Sequence, residues 1–344
     1  MKTCPNCGNQ IPVDTVKFCY ECGYKFNESG SPSINTPVAE NFDEPLPSLN
    51  FNFDEPSEES SGLFDGFDVC DKADDISFDF SSLKVDNHVE EADVVIDSGL
   101  EIKNGVLLKY NGKNKKVTIP NNVTKIRDAA FYGNDYIEHV VVGSGVKEIG
   151  IDAFSECYNL RCVSLPQGLR VIADHAFAYS DRLSIIDIPS TVREIGENAF
   201  EQTGIKEASI PGAVGVIKDN TFSYCKQLKK VIIGEGVTAV EMSAFEGCRS
   251  LINLTLPTTI KRIENSAFGD IGITSLNLPR GIKEISDYAF YECQGITEVR
   301  IPKSVIELGN EAFDNCYSLE KIYVPDHLNF SLEYSNVKAK IIFY

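Results

Sequence analysis

The sequence predicts a repeat solenoid, mainly β with short helical turns, preceded by a small domain in which four cysteines hold one structural zinc ion. Three observations carry this. Ala-Phe recurs at Ala130-Phe131, Ala153-Phe154, Ala176-Phe177, Ala199-Phe200, Ala244-Phe245, Ala267-Phe268, Ala289-Phe290 and Ala312-Phe313, with Thr221-Phe222 in the remaining place, so the Phe spacings are 23, 23, 23, 22, 23, 23, 22 and 23. On the same beat, Pro closes an apolar-x-apolar triplet at Pro120, Pro166, Pro189, Pro211, Pro257, Pro279, Pro302 and Pro325, with Gly143 and Gly234 in the two missing places. A fixed period of this length marks stacked supersecondary units that bury a core only together. Separately, Cys4-Pro5-Asn6-Cys7-Gly8 and Cys19-Tyr20-Glu21-Cys22-Gly23 form two knuckles near the N-terminus.

Composition narrows the function classes. At 42% hydrophobic and 24% charged, the 344 residues belong to the soluble globular class. Their net charge of −19 is uneven: residues 28–95 carry Lys72 and Lys84 against 18 acids. A chain without a Lys/Arg field is not built to hold phosphates, which excludes nucleic acid as the principal ligand. No run approaches the 18 apolar residues of a membrane span, and Met1 to Gln10 has no apolar signal core. The expected address is therefore the cytoplasm. Eleven cysteines, four with metal-ligand spacing, suit a reducing compartment.

In chain order, residues 1–27 come first. Each short Cys-x-x-Cys turn aims two sulfurs the same way, so Cys4, Cys7, Cys19 and Cys22 can close one tetrahedral Zn²⁺ site and leave no open position for catalysis. A segment this small needs the metal for its folding energy. The competing redox dithiol would want a βαβ setting, which is absent here. The segment resembles the short zinc-ribbon family found at the N-termini of many bacterial proteins.

Residues 28–97 read as an acidic, disordered linker without sustained periodicity. Phe recurs there beside acids, at Phe42, Phe51, Phe53, Phe64, Phe67, Phe78 and Phe80. These are either short docking motifs or incidental residues of a solvated tether. Residues 98–119 then read as strand, turn and strand, an N-terminal cap that covers apolar surface no earlier repeat can bury.

Within each repeat, alternation before the Pro, as in Val163 and Leu165 or Val299 and Ile301, predicts a short strand with one face inward. Pro ends its pairing. Apolar residues three and six places beyond, such as Val192 and Ile195, return to the core on a second side. Ala-Phe follows as a tight helical or 3₁₀ turn. From Pro120 to Pro302 each Pro of the series stands 11 residues before the next Phe, so both 22-residue repeats lose their residue where Thr203-Gly204 and Ile271-Gly272 stand. Glycine is expected to absorb the tighter corner. Three places after Phe stand Asn134, Cys157, Ser180, Thr203, Cys225, Cys248, Ile271, Cys293 and Cys316, most of them small, so the period identifies the five cysteines as buried core residues rather than a second metal cluster. Cys162 is expected to face outward. From Asp326 the pattern decays into a C-terminal cap, residues 326–344.

The frame A-F-x-x-C-x-x-L-x-x-V-x-I-P-x-x-V-x-x-I-G, kept from Ile119 through Val324, resembles the BspA-like leucine-rich repeats. The resemblance implies a right-handed solenoid with strands on its concave face, used for protein or surface recognition and lacking catalytic machinery. Family members are often exported, which would suit a cell-surface or adhesion role in place of an intracellular scaffold.

No catalytic set is legible. His88, His139, His175 and His327 fall in unrelated places, and no nucleophile has a paired base. The expected working surface is the strand face opposite the inward pairs: His139 and Val141, Ser164, Ile185 and Asp187, Glu207, Lys230 and Ile232, Asn253, Asn277, Arg300 and Tyr323. Ten strands would line a strip about 43 Å long, suited to a protein or extended peptide bound by a monomer. Asp187 and Glu207 early, with Arg300 and Lys321 late, would orient a polar partner. The alternative is a merely solvated face.

Overall fold

The computed structural model describes residues 98–344 apart from Tyr334, together with the backbone of Lys2–Thr3 and Gln10–Ile11. The chain divides into two units, residues 1–64 with Tyr344 and residues 65–343. In the first, Lys2–Thr3 pairs antiparallel with Gln10–Ile11. The four expected zinc ligands, His88 and the Phe motifs of the linker lie outside the described residues.

Residues 98–344 form a mainly-β coil of about ten turns with three walls. The first wall holds the strands before each Pro. They pair in parallel one repeat apart, as in His139↔Cys162 and Val140↔Val163. The second wall holds two-residue strands such as Glu148–Ile149 and Val171–Ile172, also parallel. Strand Val106–Tyr110 opens this second wall on Lys125–Ile126 and is itself paired antiparallel with Leu100–Lys103. At the other end, Lys340–Phe343 pairs in parallel with Lys321–Val324.

The third wall is the Ala-Phe segment, and here the expectation of helical turns is corrected. Among the described residues the single helical stretch is the 3₁₀ turn Gly212–Val214. In place of helix, the residues two before and two after Phe hold positive φ in every repeat but the last, where only the later one does, for example Asp152 (54°) and Glu156 (57°) around Phe154, or Tyr288 (59°) and Glu292 (55°) around Phe290. This conformation costs L-residues of the order of 1–2 kcal/mol each. It turns alternate N–H groups toward the following repeat. Ala129, Phe131 and Gly133 donate to the carbonyls of Ile151, Ala153 and Ser155 at 2.8, 2.7 and 3.0 Å. Tyr288, Phe290 and Glu292 do the same to Glu311, Ala312 and Asp314 at 3.1, 2.8 and 2.8 Å. A helix satisfies its backbone within itself, whereas this wall satisfies much of its backbone between repeats.

The core lies between the walls. The nine repeat phenylalanines are at most 1% exposed. They stack face to face, with centroids from 4.6 Å (Phe131 to Phe154) to 5.6 Å (Phe268 to Phe290). The small slot is buried as expected, and the structure supplies its chemistry. Cys157, Cys225, Cys248, Cys293 and Cys316 are free and buried, and each thiol donates to the carbonyl of the preceding repeat's Phe at 3.1 to 3.3 Å. Ser180 Oγ–H does so at 2.8 Å. Small size alone would equally admit Ala, but a donor also gives that buried carbonyl a second partner.

The first wall is not one continuous strip. It comprises three ladders: Lys116–Thr118 to Ile185–Ile186, Glu207–Ile210 to Asn253–Thr255, and Glu298–Arg300 to Lys340–Phe343. The interruptions fall where the two 22-residue repeats lose their residue. Gly204 and Gly272 stand there without positive φ, so conformational freedom is not their role. A Cβ on Gly204 would collide with the carbonyl of Asp181, and one on Gly272 with that of Arg249. They let adjacent turns approach closely.

Candidate functional site

The candidate surface is the outer face of the first wall, set by the two-residue period of its strands. Parallel pairing lines its side chains into rows: Lys116, His139, Cys162 and Ile185 in the first ladder, with Thr118, Val141 and Ser164 beside them. The second ladder carries Glu207, Lys230 and Asn253 next to Ser209, Ile232 and Thr255. The third carries Glu298 and Lys321 next to Arg300 and Tyr323. Asn277 lies in the repeat without a strand between the second and third ladders.

Exposure distinguishes these residues. His139, Val141, Ser164, Ile185, Lys230, Arg300 and Tyr323 are half-buried, whereas Asp187, Glu207, Asn253 and Asn277 are open. Ile232 is 36% exposed, a large aliphatic group left in water on the strip. The charges do not stand apart by sign along the wall. Lys230 Nζ lies 3.9 Å from Glu207 Oε2 and Lys321 Nζ 3.9 Å from Glu298 Oε2, each pair spanning adjacent strands. Arg300 sits over the Tyr323 ring at 5.4 Å. Partly solvated pairs at this separation hold little energy and mainly fix side-chain positions.

Cys162 departs from expectation. It points outward with His139 and Ile185, yet it is wholly buried and disulfide-bonded. Beside it in register, Nδ1 of His139 is buried without a hydrogen-bonding partner.

The remaining histidines are scattered. His175 holds a positive φ of 56° on the third wall, and His327 Nε2 meets the Val305 carbonyl at 2.8 Å in the C-terminal cap. Among the described residues no three of His, Cys, Asp or Glu gather to hold a metal ion. The core thiols are chemically quiet: burial pushes Cys157 up to about 12 and Cys225 up to about 11, so neither forms a thiolate near neutral pH.

Two features were not read from the sequence. Tyr110 occupies the Phe position of the cap, its ring 5.1 Å from that of Phe131. Along the Ala-Phe turns, tyrosines reach acids of other repeats: Tyr132 Oη–H donates to Glu156 of the next repeat at 2.7 Å, and Tyr291 Oη–H to Glu246, two repeats back, at 2.6 Å. The signal was present, because Tyr132 and Tyr291 each directly follow a repeat Phe.

The profile of the BspA type leucine-rich repeat region matches residues 102–229 and 215–336, in six copies. Among solved structures, a leucine-rich-repeat protein of T. pallidum is similar at 29% identity over 48% of this chain and 80% of its own, with a TM-score of 0.44. One from Bacteroides ovatus shares 22% identity over 70% of this chain and 87% of its own, with a TM-score of 0.38. A leucine-rich cell surface protein of Faecalibacterium prausnitzii shares 21% over 71% and 92%, with a TM-score of 0.40. No curated protein sequence matches the chain.

Proposed function

The chain belongs to the BspA-type leucine-rich-repeat family, and from that premise we propose that it is a non-catalytic binding protein that holds a protein or extended peptide on the outer face of the first wall. The observation that carries this reading is the division of labour along each strand. Inward positions such as Val140, Val163 and Val231 are at most 1% exposed and keep the repeat frame, while the outward rows vary freely and leave Ile232 in water. Exposed aliphatics flanked by polar groups supply the apolar centre and polar rim that protein recognition uses. An open strip cannot enclose a small substrate.

The test is a binding measurement on a captured partner. Ile185→Asp with Ile232→Asp should weaken binding while leaving the thermal transition intact, and charge reversal at Asp152 and Glu311 on the third wall should do little. Loss of binding through the third-wall changes alone would move the working surface there.

A second reading, a cell-surface or exported adhesion protein, is favoured by the disulfide at Cys162, since such bonds persist in oxidising surroundings. Fractionation of the source cells decides between cytoplasm and surface. Among the described residues no helix is long and apolar enough to cross a membrane. For residues 1–27 we propose a zinc ribbon with ligands Cys4, Cys7, Cys19 and Cys22. The antiparallel pairing of Lys2–Thr3 with Gln10–Ile11 brackets the first Cys-x-x-Cys, the setting in which a knuckle sits.

A further inference from the structure

The third wall leaves Tyr132, Ile151, Tyr224 and Met242 in water, and binding on the first wall makes no use of them. Around Glu246 this surface has a definite construction. Glu246, Gly269 and Tyr291 directly follow Phe in three successive repeats, so they stand in one row. Gly269 leaves a gap in that row, and the Tyr291 ring lies back across it; a Cβ on Gly269 would collide with the ring. Tyr291 Oη–H then donates to Glu246 Oε1 at 2.6 Å. In the adjoining row Tyr224 lies forward over Gly247, where a Cβ would again collide with the ring, and its hydroxyl donates to the same Oε1 at 3.4 Å. Two rings thus converge on one carboxylate from opposite directions, each seated against a glycine.

Geometry and charge together define what fits. Tyr224 is 41% exposed and Tyr291 half-buried, so both rings keep surface open to a partner. Among the described residues Glu246 Oε2 accepts no hydrogen bond, and no Lys or Arg stands over either ring. Elsewhere on the solenoid the chain fills such a place itself, with Lys113 Nζ 5.2 Å over the Tyr136 ring. The neighbouring cation, Arg249, is paired with Asp270 at 2.7 Å, which leaves the negative charges of Glu246 and Glu292 without an ion pair among the described residues.

We propose that this surface binds an arginine side chain of a basic partner protein, the guanidinium lying on the rings of Tyr224 and Tyr291 and donating to Glu246. Arginine suits it better than lysine because a planar, weakly hydrated guanidinium stacks on aromatic faces and donates to a carboxylate at the same time. The rings are set in advance of binding, since burial and the bond to Glu246 push the Tyr291 hydroxyl up and keep it a donor. The site lies on a different wall from the strip proposed above and does not rest on that reading.

The experiment is an NMR titration of the full-length chain, labelled at its tyrosine rings, with acetyl-Gly-Arg-Gly-amide. The rings of Tyr224 and Tyr291 should shift and saturate, the lysine peptide should bind about threefold more weakly or worse, and the uncharged citrulline peptide should give no shift. Glu246→Gln should raise the apparent Kd about fivefold or more, the scale of a partly desolvated cation contact. Glu156→Gln removes the same charge elsewhere on the third wall, at a carboxylate whose two oxygens already accept from Tyr132 and Tyr158, and should change the Kd less than about twofold. Tyr291→Leu keeps every charge and should weaken binding as much as Glu246→Gln does, with circular dichroism checking that each variant melts like the parent. Absence of a saturable shift at Tyr224 and Tyr291 overturns the proposal. Equal losses in Glu246→Gln and Glu156→Gln, which would mean general acidity in place of a site, overturn it too, as does equal affinity for the arginine and lysine peptides.

Discussion

The ring of Tyr110 lies on that of Phe131 with centroids 5.1 Å apart and planes inclined by 32°. The next rings down the column are far closer to parallel, 3° between Phe154 and Phe177. Tyr110 thus closes the aromatic stack at the point where the repeat ends, and its hydroxyl accepts from Asn114 N–H at 3.2 Å on the cap side. Replacing Tyr110 by Ala should lower stability and loosen the cap first. Hydrogen exchange should rise in residues 100–126 before any change near Phe290, whereas uniform loss of protection along the solenoid would deny Tyr110 this local role.

In mid-column the loss should be larger. Phe222 is 0% exposed between Phe200 and Phe245, at 5.1 and 5.3 Å. Phe222→Ala should cost about 3–5 kcal/mol, the usual consequence of deleting a buried aromatic ring. Chemical denaturation read by circular dichroism measures this, and a midpoint unchanged from that of the parent would contradict the packing described.

The thiol slot yields a prediction in which similar sizes part company. Cys248 donates to the Phe222 carbonyl at 3.1 Å, a bond that Ser180 makes to Phe154 at 2.8 Å. Cys248→Ser should therefore be tolerated, and Cys248→Ala should cost about 1 kcal/mol more for the lost bond. A more stable Ala variant would mean that size alone governs the slot.

Alkaline pH should expose the same column. Burial raises Cys157 to about 12 and Cys225 to about 11 from an ordinary 9.0, and it raises Cys248 and Cys293 in the same direction. Raised folded values mean that the unfolded chain releases these protons first. The stabilisation is therefore complete below about pH 9 and is lost progressively as pH rises toward the folded values of 11 to 12. Urea midpoints at pH 8 and pH 10.5 should differ less in the Cys157→Ser, Cys225→Ser double variant than in the parent. An identical difference in both would remove the thiols from the account.

The N-terminal cysteines predict a metal stoichiometry. The full-length chain should carry about one zinc equivalent, Cys7→Ser with Cys22→Ser should lose most of it, and a chelator should leave the solenoid's thermal transition in place. Less than half an equivalent on the parent chain would count against the site.

Much of the fold was legible because two residue types, Phe and Pro, each mark one corner of the coil and cannot be exchanged without cost. Strand positions followed from alternation at Val140, Val163 and Val299, all inward and buried. The form of the third wall was not legible. Whether Ala153-Phe154 turns as helix or as a ladder depends on Asp152 and Glu156 entering the left-handed region, which tertiary hydrogen bonds enforce against local preference. Tyr110 was missed because the cap departs from the repeat spacing, 21 residues before Phe131 in place of 23. The candidate face was readable as a set of outward positions, but the burial and the disulfide of Cys162 were not, since outward alternation in a strand carries no sign of either.

The inter-repeat backbone bonds of the third wall run one way, from the N–H groups of Phe131 or Phe290 to carbonyls of the repeat that follows. Each repeat therefore offers acceptors on one side and donors on the other, like a coupling with a plug and a socket. Two copies brought together by a two-fold axis at the same end would set donor against donor or acceptor against acceptor along this wall. Extension through it is possible head to tail, in the manner of an internal duplication, and a repeat gained or lost in the course of evolution leaves both couplings as they were.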